Sequence, residues 1–315
     1  MKLLVTGGAG FIGSNFVHYI LQEHPDYEVV NLDALTYAGS LENLEGVMDN
    51  PRHKFVQGRI EDGDLVGQLM EGIDVVINFA AESHVDRSIL EPQVFIITNI
   101  LGTQVLLDAA LKWEVKLFYQ ISTDEVYGAL ELDSTERFTE DSPLRPNSPY
   151  AASKTAADLL VRAYHRTFGL PVVISRCSNN YGPRQHPEKF LPTVILNALH
   201  GKSVPIYGDG LYVRDWIHVV DHCRAIDLIM SEGRIGDFYN IGTDNEWANI
   251  DLAKKILQIL GKPEDLLQSV TDRPGHDRRY ALVGDKLKRE LGWKPSISFD
   301  QGLTETVNWY SGTGG

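Results

Sequence analysis

Thr6-Gly7-Gly8-Ala9-Gly10-Phe11-Ile12-Gly13 follows directly on the apolar run Leu3-Leu4-Val5, and the reading of this stretch decides the fold. Gly8, Gly10 and Gly13 fit G-x-G-x-x-G between a strand and a helix, where backbone N–H groups and the positive helix end hold a pyrophosphate. Side chains there keep the backbone away from the phosphates, which is why the pattern needs glycine. Asp33 lies 20 residues beyond Gly13, at the end of the next strand-like run. A carboxylate in that place accepts from an adenosine ribose 2′-hydroxyl and repels a 2′-phosphate, so the expected cofactor is NAD rather than NADP.

Outward from the glycine turn, apolar runs and helix-spaced segments alternate. Strands are expected at 2–6, 28–32, 54–56, 75–79, 117–122, 172–175 and 238–241, with helices at 11–23, 64–70, 99–113 and 150–167. Repeated βα units of this length predict an α/β fold, a Rossmann-type doubly wound parallel sheet covered on both faces. After Arg176 the rhythm changes to Asn-, Pro-, Gly- and His-rich loops, with a helix expected at 220–231. The predicted division is a cofactor-binding domain over 1–176, with a returning strand near 236–243, and a smaller α/β substrate domain over 177–315.

Two further motifs carry chemistry. Tyr150 and Lys154 are spaced i, i+4 on an expected helix opened by Ser148-Pro149, so phenol and ammonium share a face. The positive charge is expected to stabilise the phenolate and lower the tyrosine pKa. Thr123-Asp124-Glu125 follows the apolar run 117–121, at the carboxyl end of a parallel strand, where open α/β sheets bind ligands. Adjacent carboxyls in unlike environments can take different protonation states and serve as acid and base.

Composition bounds the function. The 315 residues include 29 basic and 43 acidic ones, a formal charge of −14, which argues against nucleic acid or an anionic membrane as the main partner. An anionic substrate then needs locally clustered Arg and Lys. Cys177 and Cys223 are too few for a disulfide framework and read as plain buried thiols in a reducing cytoplasm. The glycine turn stands too near Met1 for a signal peptide, and no apolar run approaches ~18 residues, so no membrane span is expected. Only the closing 311–315 has the composition of an unordered tail. His84, His218 and His276 sit in no metal-ligand spacing, so no metal is expected.

The chain resembles the extended short-chain dehydrogenase/reductases, and within them the nucleotide-sugar 4,6-dehydratases, above all those acting on dTDP-glucose. The resemblance runs from Lys2 to about Trp309. It is carried by the glycine turn, L-D-A-L-T-Y-A-G (32–39), A-A-E-S-H-V-D-R-S-I (80–89), S-T-D-E-V-Y-G (122–128) and S-P-Y-A-A-S-K (148–154). C-S-N-N-Y-G-P (177–183), V-R-D-W-I-H-V (213–219) and D-R-P-G-H-D-R-R-Y (272–280) complete it. The resemblance implies a tightly bound NAD, regenerated each turnover, and a cytoplasmic homodimer built on the helices at 99–113 and 150–167. Tyr150 would take the proton of the glucose 4-hydroxyl, with Thr123 bonded to the new ketone and Lys154 beside the phenol. Glu125 would abstract the carbon 5 proton and Asp124 protonate the departing 6-hydroxyl.

The same resemblance implies cofactor contacts at Gly7, Gly8, Gly10, Phe11, Ile12, Gly13, Asp33, Ala34, Leu35, Thr36, Arg59, Ile60, Phe79, Ala80, Ala81, Ser83, Thr98, Tyr150, Lys154 and Asn180. It implies substrate contacts at Ser83, His84, Thr123, Asn179, Lys189, Leu191, Pro205, Tyr207, Arg214, Asn249, Arg273, His276 and Tyr280. Arg214 and Arg273 suit a diphosphate, because guanidinium binds its oxygens bidentately.

Two positions depart from the family pattern. Arg59 stands where an aspartate usually contacts adenine, a loss worth about 1 kcal/mol of cofactor binding. Val283 stands where an aspartate is common, which touches only the outer substrate loop. Three alternatives remain: a UDP-sugar 4-epimerase or decarboxylase, which has no use for Asp124-Glu125; a dehydratase of another nucleotide sugar; and a non-catalytic nicotinamide sensor.

Overall fold

The computed structural model describes residues 1–312. Its main sheet contains β1 (Lys2–Thr6), β2 (Glu28–Asp33), β3 (His53–Gln57), β4 (Val75–Asn78), β5 (Leu117–Thr123) and β6 (Val172–Cys177). The seventh strand comes from far along the chain. After β7 (Asn179–Tyr181), β8 (Val204–Tyr207) and β9 (Val213–His218), β10 (Phe238–Ile241) returns to pair with β6. The order is β10-β6-β5-β4-β1-β2-β3, and every pairing is parallel. Strand order reverses between β1 and β4, and the crevice at their carboxyl ends is where such sheets take ligands. The strands read as continuous apolar runs because helices bury both faces.

The helices are α1 (Phe11–Glu23), α2 (Gly63–Leu69), α3 (Val85–Leu90), α4 (Pro92–Phe95), α5 (Thr103–Lys112) and α6 (Pro149–Phe168). Ser148 caps α6, its hydroxyl accepting from Ala151 N at 3.1 Å, and Gly169 in the left-handed region ends it. The helix expected at 99–113 is longer: α4 runs through π-helical Ile96–Gly102 into α5. Gly102 is required there, since a Cβ would come within 2.5 Å of Ile60 Cγ1. The stretch Pro92–Lys112, of mean hydropathy 1.7, is also long and apolar enough by composition to cross a membrane, contrary to the expectation that no apolar run reaches that length. Thr98, Asn99, Gly102, Thr103 and Gln104 interrupt it without adding charge, and 44% of its apolar window is buried against the rest of the chain.

Beyond Cys177 lie β11 (Glu246–Ala248), which joins β9 and β7, and β12 (Leu267–Val270), which pairs with β8. Helix α8 (Val219–Glu232) packs on α1, while α7 (Phe190–Leu199), α9 (Asn249–Leu260) and α11 (Phe299–Tyr310) enclose a second core of Leu191, Val194, Ile195, Leu252, Ile256, Leu303 and Val307. A short α10 (Asp285–Leu291) precedes α11. Ser311 and Gly312 form a turn after α11, and the rest of the tail expected to be unordered lies outside the described residues.

Candidate active site

The crevice is floored by the glycine turn. Gly7 has φ +70°, and a Cβ there would press within 2.7 Å of Ala80 N, so glycine lets the ends of β1 and β4 touch. Gly8 and Gly13 are held by packing as well: their added Cβ atoms would meet Asn31 Oδ1 at 2.2 Å and Gly7 O at 2.3 Å. Gly10 differs. It lines the crevice, and its nearest obstacle is Gly7 O at 3.3 Å, so its bareness serves the open side. The first turn of α1 carries no acidic residue to oppose an anion. This cradle fits a dinucleotide diphosphate.

Asp33 closes the other end. It is 8% exposed, accepts from Ala9 N and Leu35 N at 2.8 Å each, and faces the crevice. Ala34, Thr36, Arg59, Ile60, Phe79, Ala80, Ala81, Ser83, Thr98 and Asn180 line the same crevice with Phe11 and Ile12, whereas Gly8 and Leu35 support it from behind. Arg59 extends toward solvent, 3.8 Å from Glu61. Glu61, Glu82, Gln185 and His186 also line the crevice, and nothing in their spacing announced them.

At the inner end, Thr123, Asp124, Glu125, Tyr150 and Lys154 meet. Thr123 caps a 3-10 turn over Asp124–Tyr127, accepting from Glu125 N at 3.3 Å, and its hydroxyl donates to Asp124 Oδ1 at 3.2 Å. Asp124 is 2% exposed, and Oδ2 finds no hydrogen-bond partner. Burial, followed by the charge of Glu125, pushes its carboxyl up to about 8. Burial also raises Glu125, but Arg214, Arg273 and Lys189 act against that. Both adjacent carboxyls are thus shifted toward the acid, Glu125 with three cations acting against the shift and Asp124 with Arg214.

The expected easing of Tyr150 by Lys154 is not what the structure displays. Burial and then Glu125 push the phenol well above its ordinary value, opposed by a hydrogen bond with Thr123. The Lys154 ammonium instead donates to Ile121 O at 2.7 Å, because burial makes it seek a carbonyl. Cys177, read as a plain thiol, forms part of the crevice wall, and burial pushes its thiol up to about 12. Such a group is inert.

The cations come from distant segments. Lys189 Nζ donates to Ser83 O at 3.1 Å, and Arg273 pairs with Asp86 at 3.2 Å. Arg214, 6% exposed, donates to Asp277 O at 2.9 Å and lies 4.3 Å from the Tyr280 ring. His276 stacks on Tyr212 at 3.6 Å, beside exposed Tyr207, and burial lowers its pKa to about 4. Asn179 lines the crevice; His84 and Tyr207 line a second, adjoining pocket with Arg59 and Thr98. Asn249 opens α9 and Pro205 lies half-buried in β8. Leu191 is not at the crevice: its side chain fills the second core, where the apolar spacing of α7 puts it. Val283 donates its N–H to Phe138 O at 2.8 Å, away from the crevice lining. Among the described residues no group of three or more His, Cys, Asp or Glu could hold a metal ion.

Known proteins share this fold. The family model described as GDP-mannose 4,6 dehydratase matches residues 4–306. The low-salt glycan biosynthesis protein Agl12 of Haloferax volcanii is 54% identical over 99% of each chain. A dTDP-glucose 4,6-dehydratase of Xanthomonas campestris is 52% identical over 98% of this chain and 92% of its own. The crystal structure of DesIV, a dTDP-glucose 4,6-dehydratase from Streptomyces venezuelae with NAD and TYD bound, superposes with a TM-score of 0.96 at 51% identity, covering 99% of this chain and 97% of that one. The chain therefore belongs to the GDP-mannose 4,6 dehydratase family, alongside the dTDP-glucose 4,6-dehydratases.

Proposed function

We propose that the protein is an NAD-dependent dTDP-glucose 4,6-dehydratase, converting its substrate to the 4-keto-6-deoxy sugar nucleotide. The observation that carries this reading is the buried Asp124–Glu125 pair, its two members differing in the cations around them and set beside Tyr150 at the inner end of a dinucleotide crevice. Epimerases of the same fold need the tyrosine and cofactor but no acid/base pair. Half-identical relatives spanning both chains favour dTDP-glucose over other nucleotide sugars.

In this reading the glycine turn and Asp33 hold NAD, which takes a hydride from carbon 4 and returns it to carbon 6. Tyr150 accepts the 4-hydroxyl proton as the phenolate that the positive ring of a bound nicotinamide would stabilise, and Thr123 donates to the oxygen that becomes the ketone. The ketone acidifies carbon 5, and Glu125 takes the proton there. Asp124, kept protonated by burial, delivers its proton to the 6-hydroxyl as water leaves. Arg214, Arg273 and Lys189 receive the diphosphate and oppose the rise that burial imposes on Glu125. Residues 1–176, with β10, act as the cofactor domain and 177–315 as the substrate domain.

The working form is a cytoplasmic homodimer. Leu90, Ile96 and Leu101 are 80%, 55% and 47% exposed along α3 to the π-helical segment, beside Leu159 and Phe168 of α6 at 52% and 56%. A second copy covering this face accounts for the apolar composition of Pro92–Lys112. A clean monomer in size exclusion at working concentration removes the dimer.

The deciding experiment incubates the purified protein with dTDP-glucose in deuterated water, without added NAD, and follows the sugar by NMR. A 4-keto-6-deoxy product with deuterium at carbon 5 and no net NADH is expected. Silence with dTDP-, UDP-, CDP- and GDP-glucose and with GDP-mannose, each with NAD added, overturns the dehydratase reading.

A further inference from the structure

Behind the catalytic face lies a buried ionic cluster that none of these steps uses. Asp158 stands one helical turn beyond Lys154 on α6, as Lys154 does beyond Tyr150, so the three share a face. Asp158 is 1% exposed and Arg176, on β6, is 4% exposed. Asp158 Oδ2 accepts from Arg176 Nε at 2.9 Å and from Ser122 Oγ at 3.0 Å. Arg176 Nη1 donates to the Tyr127 hydroxyl at 3.0 Å, which donates to Asn240 Oδ1 of β10 at 2.7 Å. The guanidinium also lies 4.9 Å from the Tyr127 and Phe238 rings.

Such a pair is a poor source of net stability, because desolvation of two buried charges offsets their attraction. Its position indicates a different use. Lys154 holds Ile121 O and Asp158 holds the Ser122 hydroxyl, so two side chains one turn apart on α6 grip two successive residues of β5. The next three residues are Thr123, Asp124 and Glu125. Arg176 is the register partner of Ser122 across β5 and β6, and through Tyr127 it also grips the chain just after Glu125. The acid/base pair is therefore tied on both sides to one buried cluster rooted in the tyrosine helix.

We propose that Asp158 and Arg176 are positioning residues: they keep Tyr150 and Lys154, which serve oxidation, in register with Asp124 and Glu125, which serve elimination. The inference rests on the dehydratase reading. With the register slackened, oxidation at carbon 4 still proceeds while water loss lags, and reduced cofactor accumulates on the enzyme.

The test compares wild-type holoenzyme with Asp158→Asn, Asp158→Asn/Arg176→Gln and Ser122→Ala, measuring kcat, KM, melting temperature and the near-ultraviolet absorbance of bound NADH at steady state. Asp158→Asn leaves a lone buried guanidinium and can fail to fold. The double variant removes that charge, and Ser122→Ala cuts only the tie to β5. Folded variants that lose the carboxylate are expected to lose about 100-fold in kcat, the scale of an ångström misplacement. Ser122→Ala loses about fivefold, the scale of one hydrogen bond. In each, KM stays near wild type and the steady-state fraction of reduced cofactor rises severalfold. Loss of kcat without that rise, or wild-type kinetics in folded Ser122→Ala and the double variant, overturns the positioning role. Wild-type turnover beside such variants removes this inference alone. A wild type that gives no 4-keto-6-deoxy sugar removes the dehydratase reading and this inference with it.

Discussion

The two sides of the crevice are built from different materials. On the cofactor side the groups presented are mainly backbone, held by glycines within one βα turn and by Asp33 tied to two backbone N–H groups. On the substrate side they are side chains: Lys189, just before α7, lines the crevice, while Arg214 from β9 and Arg273 from a loop after β12 lie outside its lining yet act on Glu125. The first side is specified by residues adjacent in sequence. The second exists only when segments some tens of residues apart converge, and its cations are meanwhile occupied by Asp86, Ser83 O and Asp277 O. Cofactor retention and substrate handling should therefore fail separately.

The largest expected effect is at Glu125. Glu125→Gln removes the base but no cofactor contact, so kcat should fall about 1000-fold while the purified protein keeps its NAD. Loss of both together breaks the distinction between the sides. Arg214→Ala should lower kcat/KM about 100-fold, the cost of a buried charged contact to a diphosphate, again with unchanged NAD content. Cofactor extracted from the purified variants and assayed enzymatically decides both.

From the other side, Gly10→Ala should weaken NAD binding about tenfold, roughly 1.4 kcal/mol, with little change in the melting temperature of the cofactor-free protein. Gly8→Ala should lower that temperature, since its Cβ would strike Asn31. Equal thermal losses in the two variants would show that both glycines serve packing only. Asp124→Asn gives a smaller, pH-dependent signal. Asp124 is raised to about 8 in the folded protein, well above its ordinary 3.8, so its contribution to stability is fully present below about pH 4 and lost as pH rises through 8. The amide avoids that loss, and Asp124→Asn should melt about 2 °C or more above wild type at pH 9, but not at pH 4. A pH-independent difference contradicts the buried acid. Smallest is Arg59→Asp, which adds an acceptor at the adenine end and should tighten NAD about fivefold in a calorimetric titration.

The seven-stranded sheet was legible because period and glycine position are local. Helix α1 and strands β1 and β10 fall where spacing puts them, and other matched boundaries differ by one or two residues. The π-helical segment was not legible. It brings Asn99 to bond both Glu82 and Ser153, and residues of ordinary helical composition form it. Strands β7, β8, β11 and β12 were missed because each has only three or four residues and a distant partner, and six-residue β9 because Arg214, Asp215 and His218 interrupt its apolar run.

By itself, the sequence determined the cofactor cradle, the acid/base pair and the tyrosine–lysine helix, since each is a run of neighbours whose chemistry survives without long-range contact. Only the tertiary structure decided which carboxyl is held as the acid, because that depends on burial and on cations from three other segments. It also decided that Lys154 turns to Ile121 O, that Leu191 belongs to a core, and that Asp158 and Arg176 stand behind the site. Electrostatic environment is a property of what surrounds a residue in space, and spacing along the chain does not encode it.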